Sequence, residues 1–505
     1  MKTKCTDNYG LRESPCNLPI PQTLKKEWHQ LATRRHFLGI GSTLLGCAGL
    51  ASLLNANTAT ANGSARSTGV LGSPHHPPVA KRVIYLFMSG APPQMDLWDY
   101  KPDLAKWFNK DMPESVRGTA MPTGMTAGQT RFPVAPPHWG FKQHGECGRW
   151  ISDLLPQTAK LTDDIAVINS MHTDAINHEP AILMMNTGNM VPGKPSLGAW
   201  LAYGLGSPNK DLPAFVVLNT KFTAGNPQPI NSRLWGSGFL PTKFQGVKFR
   251  SVGDPVLFLS NPPGVTRRDR RGLLDDLAQL NGLRLEKRGD PEIATRIESY
   301  EMAFRLQSSA PELMDLKSEK AATLKLYGAD PAKPSYGRAC LLARRMVERG
   351  VRYVNIIHSG WDAHSNVAGN VTNNAKATDQ GSAALISDLK ERGMLEDTLV
   401  IWGGEFGRTP MVESNPTLNR KLGRDHHPQA FSLWMAGGGV KGGISYGETD
   451  DWCYNVAKNP VHVHDLNATI LHLLGIHHEK LTYRYQGRDY RLTDVHGKVV
   501  KKILS

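Results

Sequence analysis

The chain has 505 residues, with 59 basic against 45 acidic side chains and a formal net charge of +14. Its densest basic group, Arg267-Arg268-Asp269-Arg270-Arg271, is broken by an acid and opens a helical pattern, so it reads as a solvated helix face and leaves no nucleic-acid signature. Six cysteines without a C-x-x-C pair exclude a disulfide framework, a cysteine zinc knuckle and a C-x-x-C-H haem attachment.

At the N-terminus, Thr33-Arg34-Arg35-His36-Phe37-Leu38 carries an arginine pair ahead of a weakly polar run, Phe37 to Leu54, which ends near Ala59-Thr60-Ala61. This is the pattern of a twin-arginine signal peptide with an A-x-A cleavage site, covering residues 1–61. Export to the periplasm or beyond is the expectation. The apolar run is too short and glycine-rich for a membrane span, which needs about 20 apolar residues, and no transmembrane segment is expected in the mature chain. Leu44-Leu45-Gly46-Cys47 resembles a lipobox, so lipid anchoring at Cys47 is the lesser alternative. Three cysteines then remain, Cys147, Cys340 and Cys453. Cys340 sits in an apolar helical pattern that predicts burial.

Residues 62–80, rich in Gly, Ser, Pro and His, read as a linker. The domain proper is expected over 81–500. Its first strand is the unbroken apolar run Arg82 to Met88. Further strands are predicted at Ile165–Ile168, Phe215–Leu218, Tyr353–Ile357, Leu399–Trp402 and Phe431–Met435. Helical spacing marks Ala339 to Glu348, the segment around Leu385 and Leu389, and a helix capped by Asp465 with Leu466, Ile470, Leu473 and Leu474 on one face. Residues 219–330 break the rhythm and read as an insertion or cap. Within it, Leu273, Leu274, Leu277 and Leu280 form one amphipathic face, and Ile293, Ile297, Tyr300 and Phe304 another. Strand alternating with helix predicts an α/β fold with a mainly parallel sheet covered on both faces.

The polar clusters fall where strands end, which is where open α/β sheets place their ligands. His358-Ser359-Gly360-Trp361-Asp362-Ala363-His364 follows one strand, and in extended backbone Asp362 and His364 point the same way. Gly403-Gly404-Glu405-Phe406-Gly407-Arg408 follows another. Gly423-Arg424-Asp425-His426-His427-Pro428 precedes the strand at Phe431. Carboxylates and imidazoles from three loops suit Zn, Mn or Fe better than Ca. The candidate metal ligands are Asp362, His364, Glu405, Asp425, His426 and His427. A fourth cluster, Met171-His172-Thr173-Asp174-Ala175-Ile176-Asn177-His178-Glu179-Pro180, offers a second wall, in which a helix N-terminus is suited to an anion.

These residues carry a resemblance. Val463-His464-Asp465-Leu466-Asn467-Ala468-Thr469-Ile470-Leu471-His472-Leu473-Leu474-Gly475 resembles the end of sulfatases and phosphatases of the alkaline-phosphatase-like superfamily. Asp397 to Gly407 resembles their strand leading to a metal-binding Asp-His pair. With Met88-Ser89-Gly90, Gly360-Trp361-Asp362-Ala363-His364, Gly404-Glu405-Phe406-Gly407-Arg408-Thr409-Pro410 and Gly423-Arg424-Asp425-His426-His427-Pro428, the span 81–495 resembles domain-of-unknown-function family 1501. The resemblance implies a three-layer α/β/α sandwich and, in the active superfamily, two metals flanking a nucleophile. The chain departs from that pattern at three places. Ser89-Gly90 replaces an Asp, Glu405-Phe406 replaces the Asp-His pair, and His178-Glu179-Pro180-Ala181-Ile182 lacks a hydroxyl or thiol nucleophile.

Two readings follow. The first is an exported metal-dependent hydrolase of the sulfatase/phosphatase type, acting on a phosphate or sulfate ester or an anionic glycan, with Glu405 and His178 as catalytic residues and a reduced metal site. The alternative is a non-catalytic envelope binding protein that keeps the fold.

Overall fold

An apolar run such as the one after Arg82 demands burial on both of its faces. In the computed structural model, which describes residues 67–118, 125–126, 128–220, 228–250, 254–256, 259–415 and 420–505, this run forms the inner strand β1 (Arg82–Ser89). Around it lie β2 (Ile165–His172), β3 (Phe215–Asn219), β4 (Val247–Phe249), β5 (Tyr353–Ser359), β6 (Thr398–Gly403), β7 (Phe431–Ala436), β8 (Ser445–Tyr446) and β9 (Val461–His462). They make a nine-stranded sheet in the order β8-β2-β7-β6-β1-β5-β3-β4, with β9 also paired to β2. Every pairing is parallel except those of β7, which runs antiparallel to β6 and β2.

Alternation along β1 feeds two cores. Ile84, Leu86 and Met88 pack with helices α5 (Tyr336–Glu348) and α6 (Val367–Glu391). Val83, Tyr85 and Phe87 pack with α1 (His178–Thr187), α2 (Leu197–Leu205) and α7 (Val463–Leu473). This is the three-layer α/β/α arrangement expected from the sequence. All six predicted strands are present, and Cys340 is buried. Among the described residues no helix is long and apolar enough to cross a membrane. The twin-arginine pair, the cleavage site and Cys47 lie outside the described residues.

Three expectations are corrected. Residues 67–80 are not a free linker: Ser67–Thr68 pairs with Gly206–Ser207, and Val79 and Ala80 donate to the Leu473 carbonyl. The insertion at 219–330 contributes β4 to the sheet edge. Its first helix, α3 (Arg267–Arg288), buries only Leu274, leaving Leu273 and Leu280 50% and 58% exposed. The next helix, α4 (Pro291–Met314), docks by its last turns, through Leu306, Ala310, Leu313 and Met314. Asp465 is the third residue of α7 rather than its cap. His462 caps the helix, and the two side chains exchange bonds with each other's backbone.

The C-terminal end of β5 is tied down by His358. Its Nδ1 accepts from the Thr220 hydroxyl at 2.8 Å, and its Nε2 donates to Asn374 Oδ1 at 3.1 Å. Burial pushes this imidazole down to about 4. Unfolding restores the ordinary value near 6.5, so the unfolded chain binds more protons between pH 4 and 6.5. The contribution is complete above pH 6.5 and is lost as pH falls toward 4, by roughly 3 kcal/mol for a shift of this size. Urea unfolding from pH 7 to 4 should therefore show falling stability. His358→Gln should be less stable at pH 7 and should lose less on acidification. An unchanged slope would refute the assignment.

Candidate metal centre

All strands but β7 point their carboxyl ends the same way. β7 enters antiparallel, with Phe431 opposite Met171, so the chain just before it arrives at that same edge. Four loops meet there. His178 opens α1 after β2, Asp362 and His364 follow β5, Glu405 and Arg408 follow β6, and His426 precedes β7. Two glycines allow the close approach. A Cβ on Gly90, whose φ is 113°, would lie 2.4 Å from the Asp362 backbone nitrogen, and one on Gly423 would lie 2.2 Å from the His364 carbonyl oxygen.

His178, Asp362, His364 and His426 each bring one ligand-competent atom to within 4.8 Å of the others. Asp362 Oδ1 is the hub. It lies 3.2 Å from His178 Nε2, 3.1 Å from His364 Nε2 and 3.9 Å from His426 Nε2. His364 Nε2 and His426 Nε2 face each other at 2.9 Å.

The far nitrogen of every ring is held by an oxygen that can only accept. His178 Nδ1 donates to Glu405 at 2.6 Å, His364 Nδ1 to Glu413 at 2.5 Å, and His426 Nδ1 to the Ile176 carbonyl at 2.8 Å. The protons therefore sit on Nδ1, and the three inward Nε2 atoms carry the lone pairs. Lone pairs 2.9 Å apart repel, a repulsion that a cation bound between them would relieve. Tetrahedral metal–nitrogen bonds of about 2.0–2.1 Å put neighbouring ligand atoms about 3.3–3.4 Å apart, inside the span of 2.9 to 3.9 Å that the inward atoms cover.

Charge agrees. Asp362, Glu405, Glu413 and Asp425 are all buried. Against these four carboxylates stand two guanidiniums, Arg408, 2.7 Å from Asp362, and Arg420, 2.8 Å from Glu413. The residues therefore fit a single metal ion held by three imidazoles and a carboxylate. A second group, His364, Glu413 and Asp425, shares His364 with the first and forms its rear wall.

The protonation behaviour of the metal-free cluster follows from the same contacts. Burial alone would raise the Asp362 carboxyl, but Arg408 and the hydrogen bond from His178 outweigh it and hold it far below the usual range. Burial also disfavours charge on His178, yet Asp362 and Glu405 raise its pKa. Burial, reinforced by Arg408, His178 and His364, pushes His426 well below 6.5 and keeps it neutral.

Of the residues expected as ligands, Asp362, His364 and His426 converge. Glu405 stands behind His178, bonded to its ring and to the Gly90 N–H. Asp425 accepts from the His426 N–H and from Thr126. His427 lies outside the cluster. It pairs with Gly407 in a two-residue strand, so its ring turns the opposite way from that of His426. Its Nε2 bonds to the Tyr454 carbonyl, and its ring packs on Tyr454 at 4.3 Å. Phe406 stands where the resemblance leads one to expect an imidazole; its ring lies 4.9 Å from that of His178 and 4.8 Å from that of His426.

Sequence reasoning missed Arg408, Glu413 and Gln228 as site residues. Arg408 is fully buried and donates to the Gly90, Ala91 and Arg424 carbonyls as well as to Asp362. Its motif, Gly407-Arg408-Thr409, was the available signal. Gln228 donates to Asp362 Oδ2 at 3.1 Å, and nothing in its neighbourhood in sequence announces this.

Fold and site together define a mainly parallel α/β/α protein with a three-histidine, one-aspartate cluster that could hold a metal ion at the carboxyl edge of its sheet. Residues 80–504 match the family described as "Protein of unknown function (DUF1501)", and the chain belongs to that family. No curated protein matches it in sequence. Among solved structures it is similar to the PsFucS1 sulfatase from Pseudoalteromonas sp., with 13% identity, coverage of 79% of this chain and 68% of that one, and a TM-score of 0.33. It is also similar to a protein in the alkaline phosphatase superfamily from Vibrio parahaemolyticus (10% identity, 81% and 69% coverage, TM-score 0.32). A third is the C-terminal periplasmic domain of EcEptC from Escherichia coli, in complex with Zn (10%, 82% and 87%, TM-score 0.31). Likeness at this level leaves activity to be argued from the chain's own residues.

Metal analysis of the purified protein should find one transition-metal ion per chain. Asp362→Asn and His426→Ala should each remove it. Glu413→Gln, which only loosens the hold on His364, should weaken affinity about 10–100-fold. His427→Gln should leave stoichiometry unchanged. Metal loss in His427→Gln with retention in His426→Ala would reverse the assignment.

Proposed function

We propose that this protein is an exported metal-dependent hydrolase acting on a phosphate or sulfate ester, with its chemistry at the His178, Asp362, His364 and His426 cluster. The observation that carries the reading is the convergence of three lone-pair nitrogens and one carboxylate beside a segment, His178 to Ile182, with no hydroxyl or thiol. A divalent ion there, zinc, manganese or iron, would supply Lewis acidity toward a phosphoryl or sulfuryl oxygen and would acidify a water, replacing a protein nucleophile.

The chain's own residues do the rest. Glu405 and Glu413 fix the orientation and basicity of His178 and His364. Arg408 holds Asp362 in place and adds a fixed positive charge, its Nη2 lying 3.5 Å from His178 Nε2. Phe406 packs on two of the rings and excludes water from their backs, which strengthens the electrostatics of the cluster. Export rests on the twin-arginine pattern in the sequence.

One observation favours the non-catalytic reading. Asp362, His364 and His426 are only 7%, 3% and 3% exposed, which leaves an ester little access.

After loading with Zn, Mn or Fe, the protein should hydrolyse members of a panel of aryl phosphates and sulfates, and His364→Ala should lower turnover at least 100-fold. One metal per chain with no turnover on any ester would replace this reading with the binding-protein one. Arg34→Lys combined with Arg35→Lys should retain the uncleaved precursor in the cytoplasm; normal processing of that variant would contradict export by this route.

A further inference from the structure

Helix α1 begins at the metal cluster and ends at a different feature. Its last residue, Thr187, and Gly188 line a pocket that is open to solvent. Ten residues at 1.5 Å each put this pocket about 15 Å along the helix from His178, toward the opposite edge of the sheet. We propose that it binds an anionic saccharide unit, sulfated or uronic, between aromatic rings and cationic side chains.

The lining has the two chemistries such a ligand needs. Trp200, Phe239 and Tyr490 supply aromatic surface, and Lys194, Arg488 and Arg491 supply positive charge. The rings belong to a larger stack. Phe239 lies nearly parallel to Tyr483 and Tyr485, with interplanar angles of 16° and 17°, and 4.9 Å from Tyr490. Tyr483–Tyr485 and Arg488–Tyr490 form a two-stranded hairpin, so the rings are presented on a built platform. Aromatic faces are electron-rich and attract the C–H faces of a sugar ring.

The cations are held at the rings. The Lys194 ammonium sits 4.1 Å from the centre of the Tyr490 ring, and the Arg488 guanidinium 4.8 Å from it. Asp494 is the one carboxylate among the lining residues, and Arg488 pairs with it, while Arg491 pairs with Glu479 at 3.6 Å. No ion pair to Lys194 is present among the described residues. The lining therefore keeps an excess of positive charge beside an aromatic platform, the pairing of chemistries that an anionic saccharide would meet.

The pocket lies away from the cluster, so the proposal does not depend on turnover there. The test is calorimetric titration at physiological ionic strength with a heparin-derived tetrasaccharide, a galacturonate tetrasaccharide and the neutral chitotetraose, and with polyphosphate and AMP as controls for adsorption to a basic protein. The anionic saccharides should bind, the tighter of the two naming the sulfate or the carboxylate, and the neutral one should bind at least tenfold more weakly. Lys194→Met and Tyr490→Ala should each weaken binding at least tenfold, with metal content unchanged. Arg268→Ala, which removes a surface charge elsewhere, should have no effect, and His364→Ala should bind as the native protein does. If Tyr490→Ala does not fold, Lys194→Met alone decides, since it leaves the hairpin intact. Equal binding of polyphosphate or AMP, or full affinity in Lys194→Met, would overturn the proposal.

Discussion

The site depends on where three protons sit. Each imidazole of the cluster gives its Nδ1 proton to an oxygen that can only accept, from Glu405, Glu413 and the Ile176 backbone. That choice fixes each tautomer and turns each Nε2 lone pair toward Asp362 Oδ1. With a proton in place of a metal, His178 is the ring best suited to carry it, because Asp362 and Glu405 flank it. The cluster is therefore an arrangement that a cation completes, and its outer carboxylates matter as much as the ligands themselves.

The sheet makes this convergence possible. β1, β5 and β6 are adjacent and parallel, so the loops after β5 and β6 emerge side by side over Gly90. The reversed strand β7 brings His426 to the same edge from the late stretch of the chain. The loop before β7 is pinned by a buried pair in which Arg424 donates to both oxygens of Asp96 at 2.9 and 3.0 Å. Neither partner reaches solvent. Loss of one would strand the other's charge in the interior, at a cost of about 3–5 kcal/mol. Arg408 has the same role closer to the cluster, tying the Gly90 turn to the loop that carries Asp362.

Much of this was legible from local pattern. The buried strands announce themselves as apolar runs, and the chemistry-bearing loops were found by their position after those strands. Other features were decided by contacts between distant segments. His426 and His427 are equivalent in sequence; only the pairing of Arg408 with His426 and of Gly407 with His427 determines which ring turns inward. Glu413 reaches His364 because its short strand pairs with Gly423, and no motif marks it. Leu273 and Leu280 have helical spacing yet remain exposed, because periodicity names a face without naming what covers it. The stretch 67–80 has a linker's composition, but its backbone bonds hold it to the body.

Three imidazole Nε2 atoms and one Asp362 oxygen are arranged to surround a single metal ion. X-ray absorption at the edge of the metal that co-purifies with the folded protein tests it most directly. The spectrum should show one ion per chain with nitrogen and oxygen neighbours at about 2.0–2.2 Å, three of them showing the multiple scattering of imidazole rings. A protein that folds without stoichiometric metal, or a metal surrounded only by oxygen, would contradict it.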